Sequence, residues 1–315
     1  MRGLLMVLVL VASPASAVLT PQVELDVTVV DEDGVPVEGV SVRGDFLGVV
    51  SGDGHVERQV TDEKGYVKLL GRSFFPVRVK AGKIGYYRSR VEVNTREVVN
   101  GKEVFRDREV TIMLREKRNP IPLYAIKYSG EIPVAEEWVG FDLQKADWVS
   151  PHGKGVSSDF LFRYEGEFAG INDAHGELKL RYPNEDDGMQ QITRLYSNSS
   201  FKTPYEAPVS GYSSKAMKWF QAIGYDMDRR LVPNEAKTYF LRIRTISSEE
   251  GEIESALYGK LYGDIQYSLR SLRGGVSSIK FMYYLNPTPN DRNLEFAVGE
   301  NLFKDLKHEQ QVREP

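Results

Sequence analysis

The chain contains no cysteine. That absence removes disulfides, thiolate nucleophiles, Cys-ligated zinc and iron–sulfur clusters together. It also removes a lipidated N-terminal cysteine as an anchor. Histidine is scarce, limited to His55, His152, His175 and His308. None stands four residues from another and no H-x-H pair occurs, so the sequence offers no spacing for a transition-metal site. There is no G-x-S-x-G, no P-loop, and no G-x-G-x-x-G opening a helix after a strand. The S-x-x-K spacing occurs at Ser199 with Lys202 and at Ser277 with Lys280. The S-D-N and K-T-G motifs that give that spacing meaning are missing, so it reads as coincidence. Strong charge of one sign is lacking too: the formal net charge is −4, without patterning. Neither nucleic acid nor anionic lipid is a natural partner for such a surface. Beyond the first residues no apolar run approaches the roughly 18 that span a bilayer, so no transmembrane segment is expected in the mature chain.

What is present begins with a leader. Met1 and Arg2 form a minimal positive region, Leu4 to Ala12 is continuously apolar, and Pro14 breaks the run. Ala15, Ser16 and Ala17 give the small-x-small pattern of a signal-peptidase site. The run is too short to cross a hydrocarbon layer of about 30 Å. These features predict a cleavable secretory signal over residues 1–17 and an exported protein, periplasmic or extracellular. Export without cysteine suits a bacterial route better than a eukaryotic one.

The remaining composition is globular, with 41% hydrophobic and 27% charged residues. The 15 prolines and 28 glycines fall mostly between apolar runs, where they punctuate short strands. Val23, Leu25, Val27 and Val29 alternate with Glu24, Asp26 and Thr28, the period of a half-buried strand. Turn clusters follow at 31–34, 52–54 and 62–65, with apolar extended runs between them. Turns recurring every ten or so residues predict a small antiparallel sandwich over 20–116.

Three runs in this region carry a resemblance: Asp26 to Val42 with its D-E-D-G-V-P-V-E-G-V turn, Thr61-Asp-Glu-Lys-Gly-Tyr-Val-Lys-Leu69, and Val79 to Tyr86 with its late G-Y. The region resembles the carboxypeptidase regulatory-like domain, one of the transthyretin-like, immunoglobulin-like sandwiches. The resemblance covers less than a third of the chain. It implies an accessory module in an exported setting and no activity, because its motifs are turn chemistry. Asp31, Glu32 and Asp33 lack the spacing of a calcium loop and read as a solvated turn.

Arg115 to Pro122 is charged and then proline-bearing, so residues 117–122 read as a semi-rigid connector. A second β-rich domain is expected over 123–303, with a charged tail over 304–315. Its strand runs include Phe160 to Tyr164, Gly176 to Tyr182, Lys237 to Ile246, Ser255 to Leu269 and Ser278 to Leu285. Their length suits a larger antiparallel β-sandwich or jelly-roll. The fold class is therefore all-β. One helix is expected, Ser213 to Ala222, with a serine N-cap, Gly224 as stop, and Met217 and Phe220 sharing a face. Leu302, Phe303 and Leu306 have helical spacing and suggest one docked turn before the tail frays. In the runs Trp148 to Gly155, Tyr182 to Met189 and Tyr284 to Phe296 this region resembles uncharacterised exported bacterial proteins.

Several groups could hold a ligand. Glu185, Asp186 and Asp187 precede Gly188 and offer oxygen ligands suited to Ca²⁺, with Asp173 from the preceding loop. Their spacing matches no known loop, so a solvated acidic hairpin stands beside that reading. Ca²⁺ at Asp173, Asp186 and Asp187 is the one cofactor considered. Trp148, His152 and Lys154 lie in a glycine-bearing loop whose N–H groups could meet an anion. Asn290, Asp291 and Arg292 sit on a loop stiffened by Pro287 and Pro289. Trp138, Trp148 and Trp219 could stack on sugars, although buried aromatics dominate sandwich cores. The favoured function is a non-catalytic binding or structural protein of the bacterial cell envelope, with an envelope protein or carbohydrate as partner. The alternative is a polysaccharide-acting hydrolase, which needs two carboxyls roughly 5–9.5 Å apart across a cleft of the second domain.

Overall fold

The computed structural model describes residues 20–48, 54–170, 172–193, 196, 198–224, 228–229, 237–269 and 277–315. The leader expected over 1–17 lies outside these. Two compact units divide at Leu114 and Arg115. Almost every element is a strand; the one helical element among the described residues is a 3-10 turn, His308–Gln310. No helix among them is long and apolar enough to cross a membrane.

Among the described residues the first unit holds ten strands: β1 (Gln22–Val30), β2 (Ser41–Phe46), β3 (His55–Val60), β4 (Tyr66–Arg72), β5 (Val77–Gly82), β6 (Tyr86–Tyr87), β7 (Ser89–Val93), β8 (Arg96–Val99), β9 (Lys102–Phe105) and β10 (Arg108–Met113). One sheet has the order β10-β1-β4, the other β3-β2-β5-β7, and β8 and β9 form a separate ribbon. The alternation of β1 puts Val23, Leu25, Val27 and Val29 into a core shared with Val42 and Phe46 of β2, Leu69 of β4 and Val79 of β5. Pairing within these two sheets and the ribbon is antiparallel except where β10 lies parallel to β1. The motif residues act as turn chemistry. Asp31 Oδ1 accepts the N–H groups of Asp33 and Val35, and Asp62 Oδ1 those of Lys64 and Tyr66. Gly65 has φ +67°, and a Cβ there would strike the Val29 carbonyl oxygen.

The second unit has β11 (Arg115–Glu116), β12 (Tyr124–Glu131), β13 (Val139–Asp142), β14 (Asp147–Trp148), β15 (Phe160–Gly170), β16 (Asp173–Arg181), β17 (Gly188–Thr193), β18 (Met217–Ile223), β19 (Asp228–Arg229), β20 (Lys237–Ser247), β21 (Ile253–Tyr267) and β22 (Ser278–Leu285). A five-stranded sheet, β12-β22-β21-β20-β17, and a six-stranded sheet, β14-β13-β15-β16-β18-β19, are both antiparallel. The core between them joins Phe141, Phe160, Phe162, Leu178, Leu180 and Trp219 to Leu241, Leu261, Phe281 and Tyr283. Strands β20 and β21 are buried on both faces, so their sequences read as nearly unbroken apolar runs. Their outer face is covered by irregular chain carrying Ala207, Leu294, Phe296 and Val312.

The expected helix at Ser213–Ala222 is not formed. Met217–Ile223 is strand β18, paired with β16 so that Leu178 faces Trp219. Trp219 and Gln221 point inward while Lys218 and Phe220 point out, a period of two that short helical spacing of Met217 and Phe220 masked. The caps were available, but β16 offered an unpaired edge, and ladder hydrogen bonds with burial of Trp219 outweigh local propensity. The stretch expected as a connector is tied into the second unit: the N–H groups of Arg118 and Asn119 donate to the Glu295 carboxylate. The tail likewise folds down, with Val312 buried and the Pro315 and Glu314 carbonyls accepting from the Tyr262 and Tyr284 hydroxyls.

Candidate functional site

The loop from Asp142 to Asp159 is held by carboxylates. Asp142 accepts the N–H groups of Gln144, Lys145, Val156 and Ser157, and Asp159 accepts that of Leu143. Arg244 closes the cluster: its Nε is 2.7 Å from Asp159 Oδ1, and its terminal nitrogens reach Asp142 Oδ1 at 2.9 Å and Gln144 Oε1 at 2.7 Å. A bulge in β20 and φ +52° at Arg244 aim that side chain. Burial pushes both carboxyls upward; at Asp142 the N–H groups of Val156, Ser157 and Gln144, together with Arg244, outweigh it and the value is lowered. At Asp159 burial prevails over Arg244 and the value is raised. This cluster is a clamp that shapes the loop.

The clamp decides the fate of Trp148, His152 and Lys154. Trp148 is 5% exposed and packs edge-on against Phe141 and Phe162, leaving no face for a ligand. The Lys154 N–H donates to Asp147 Oδ2, and the Gly155 N–H to the Trp148 carbonyl. The loop therefore spends these N–H groups internally, and Gly153 is required because a Cβ would strike the Trp148 carbonyl. His152 and the Lys154 side chain are exposed. The loop of Asn290, Asp291 and Arg292 is stapled in the same way. Asn290 Oδ1 accepts the Ala256 N–H, Asp291 Oδ1 accepts that of Asn293, and Arg292 donates to the Ala207 carbonyl and the Glu206 carboxylate.

Among the described residues, no group of three or more His, Cys, Asp and Glu side chains is placed to hold a metal ion. Asp173, Asp186 and Asp187 are thus not assembled into a cation site. Asp187 is buried and accepts the Thr245 N–H; burial raises its value against that bond. Asp186 accepts from the Ser247 hydroxyl, and Asp173 is exposed at the start of β16. Ser199 accepts the Phe201 N–H while Lys202 pairs with Glu314, so that S-x-x-K pair is structural. Trp219 is buried, and Trp138 is stacked under the Arg181 guanidinium at 4.2 Å.

A buried cation box lies on the outer side of the five-stranded sheet. The Lys260 ammonium stands 4.6–5.0 Å from the ring centroids of Phe201, Tyr262 and Tyr284 and donates to the Leu294 carbonyl at 2.8 Å. Arg115 stacks over Tyr196, Phe201 and Tyr205 and donates to the Phe201 and Thr203 carbonyls. Burial, reinforced by Arg115, pushes the Lys260 ammonium well below the ordinary lysine range, while Glu295 opposes it. Both side chains are sealed from solvent and serve packing.

The open face of the six-stranded sheet carries a groove of about 360 Å³. Glu165 and Glu177 are directly opposed in the ladder between β15 and β16, and Glu167 faces His175. Phe220, on β18, stands opposite Glu177 and is 37% exposed; Glu136 also lines the groove. Gly166 to Ala169 of β15 are exposed where that strand pairs with the start of β16. Lys179 reaches Glu165 at 2.7 Å and Glu177 at 3.2 Å, and Arg163 reaches Glu165 at 2.6 Å. The bond from Lys179 chiefly holds the Glu165 carboxyl below the usual carboxylate range. From sequence, His175 entered only as a histidine without a partner at metal-ligand spacing and Phe220 only as one face of the expected helix; the glutamates were not singled out. The available signal was the outward alternation Arg163, Glu165, Glu167 facing Lys179, Glu177, His175, which looks like any solvated strand until pairing is known.

The chain matches no protein-family model and no curated protein. Among solved structures it is similar to a candidate carbohydrate-binding protein from Bacteroides uniformis, at 11% identity and TM-score 0.22, covering 86% of this chain and 99% of that one. A DUF3823 family protein from the same organism shows 10% identity and TM-score 0.20, over 87% of this chain and 100% of that one. BcpA, the major pilin subunit of Bacillus cereus, shows 10% identity and TM-score 0.22, over 82% and 95%.

Proposed function

We propose that this chain is a non-catalytic, exported binding protein of a bacterial cell envelope that holds a hydroxyl-rich, neutral carbohydrate on the open sheet face of its second unit. The observation that carries this is the groove of Glu136, Glu165, Glu167, His175, Glu177 and Phe220. Carboxylates accept from sugar hydroxyls, imidazole accepts or donates, and the Phe220 side chain, 37% exposed at the groove, adds apolar surface. The acidic lining repels anionic ligands. The first unit serves as an accessory module of the carboxypeptidase regulatory-like kind. The leader over 1–17 supports export, to the periplasm or beyond.

A hydrolase reading of the same groove is disfavoured by its electrostatics. A glycosidase needs one carboxyl kept protonated as acid. Glu165 and Glu177 share Lys179, and the Glu165 value is lowered, which keeps it ionised. The test is calorimetry of the protein with a panel of neutral oligosaccharides, together with a reducing-end assay. Binding without release of reducing ends is expected, and Phe220→Ala should weaken it about ten-fold, the equivalent of about 1.4 kcal/mol. No binding at millimolar saccharide, or steady production of reducing ends, would overturn the proposal.

A further inference from the structure

The outer face of the five-stranded sheet carries a second groove, of about 530 Å³, bounded by that face and by the turn at His308–Gln310. Its charge is opposite to that of the first. Lys127 and Lys280 project from β12 and β22, where Lys127 pairs with Met282 and Ser129 with Lys280, so the two lysines are diagonal neighbours on one face. Lys307 enters from the folded tail. None of the three has a carboxylate at ion-pair distance among the described residues. Asp264 also lines the groove, but its carboxylate is occupied by Lys237 at 3.1 Å and by the Tyr239 hydroxyl at 2.8 Å. Glu309 is the remaining lining acid. Three ammonium groups against one carboxylate leave a local surplus of two positive charges in a chain whose formal total is −4.

An unpaired cationic surplus against the sign of the whole molecule concentrates anions locally. Gln266, Gln310 and Ser129 add hydrogen-bonding groups, and Tyr262 and Met282 give an apolar floor. The volume lies in the range of small-ligand sites. We propose that this groove binds an anionic oligosaccharide, its acidic groups meeting Lys127, Lys280 and Lys307 and its hydroxyls meeting the serine and glutamines. Lysine is a point-charge donor without the fork of arginine, so the groove selects charge and accepts carboxylate or sulfate esters alike. A duplex or long nucleic acid is disfavoured by the net negative surface beyond the groove.

The experiment is calorimetry of the full chain with trigalacturonate, a sulfated disaccharide and maltotriose, at 20 and 300 mM salt. One or both anionic probes should bind, with affinity falling roughly ten-fold at the higher salt, and maltotriose should not compete for this groove. Which anionic probe binds identifies the acidic group. Lys127→Gln with Lys280→Gln, both at exposed positions, should lower affinity about ten-fold or more at unchanged melting temperature. Glu309→Gln should raise it about two-fold, the order of effect expected from removing one nearby like charge in water-like dielectric. Phe220→Ala should leave it unchanged, so this proposal and the preceding one fail separately. Failure of both anionic probes at 20 mM salt, or equal binding by the double lysine variant, would overturn it.

Discussion

Replacing Arg244 by Met tests whether the Asp142–Asp159 loop is held by an ionic clamp. The guanidinium makes four hydrogen bonds, two to Asp159, one to Asp142 and one to Gln144. Asp159 is 0% exposed and Asp142 2%, whereas the Arg244 side chain is 27% exposed. Removing one partner of a buried pair costs about 3–5 kcal/mol because the remaining charge is stranded. Water can reach this arginine's position, which puts the expected loss near the lower end, about 3 kcal/mol. For a unit of this size that is a fall in Tm of roughly 6–12 °C. The pH dependence has a definite sign. Asp142, with its folded value lowered, contributes stability above its unfolded pKa that is lost as pH falls through the folded value. Asp159, with its folded value raised, favours the folded state most below its unfolded pKa, and that contribution is lost as pH rises through the folded value. Without Arg244 both acids become costlier to ionise, so the variant's deficit should be largest near pH 7.5 and shrink toward pH 4.5. Asp159→Asn added to Arg244→Met should recover part of the loss, although alone it should be destabilising. Calorimetric melts of the four proteins at both pH values provide the readout. A deficit independent of pH, or further loss on adding Asp159→Asn, refutes the clamp.

Two further outcomes follow from the packing. Lys260 has a lowered folded pKa, so the unfolded chain takes up the proton more readily and stability rises with pH toward the unfolded value near 10.4. Lys260→Met should flatten that rise between pH 7 and 9.5 in urea melts and leave stability at pH 7 within about 1.5 kcal/mol, since lost desolvation offsets the bond to Leu294; an unaltered slope would refute the assignment. In the first unit, Gly65→Ala should cost more than about 2 kcal/mol, whereas Gly34→Ala, at φ +80° with open space around it, should cost about 1 kcal/mol. Equal losses in the first-unit melting transition would show that the Val29 carbonyl does not constrain Gly65.

Much of the architecture was legible in single strands. Val23 to Val30 declares its buried face by alternation, and Phe160 to Tyr164 and Gly176 to Arg181 do the same. Met217 to Ile223 misled because serine caps and a following glycine are local signals, while the edge of β16 that captures the segment is distant in sequence. Trp148, Asn290 and Arg292 carry residue types common in binding loops, yet each is consumed by packing or by backbone groups. Nothing in their immediate neighbours reveals those partners, which come from Phe162, Ala256 and Ala207.

By itself the sequence determined that this is an all-β chain, because the period of polarity and the turn residues act within a few residues of one another. Only the tertiary structure decided which charges are free. Asp159 finds Arg244, Asp264 finds Lys237, and Lys127 and Lys280 find no carboxylate among the described residues. Electrostatic partnership depends on distance in space, and strand register, set by burial of the opposite face, brings remote residues to that distance or keeps them from it.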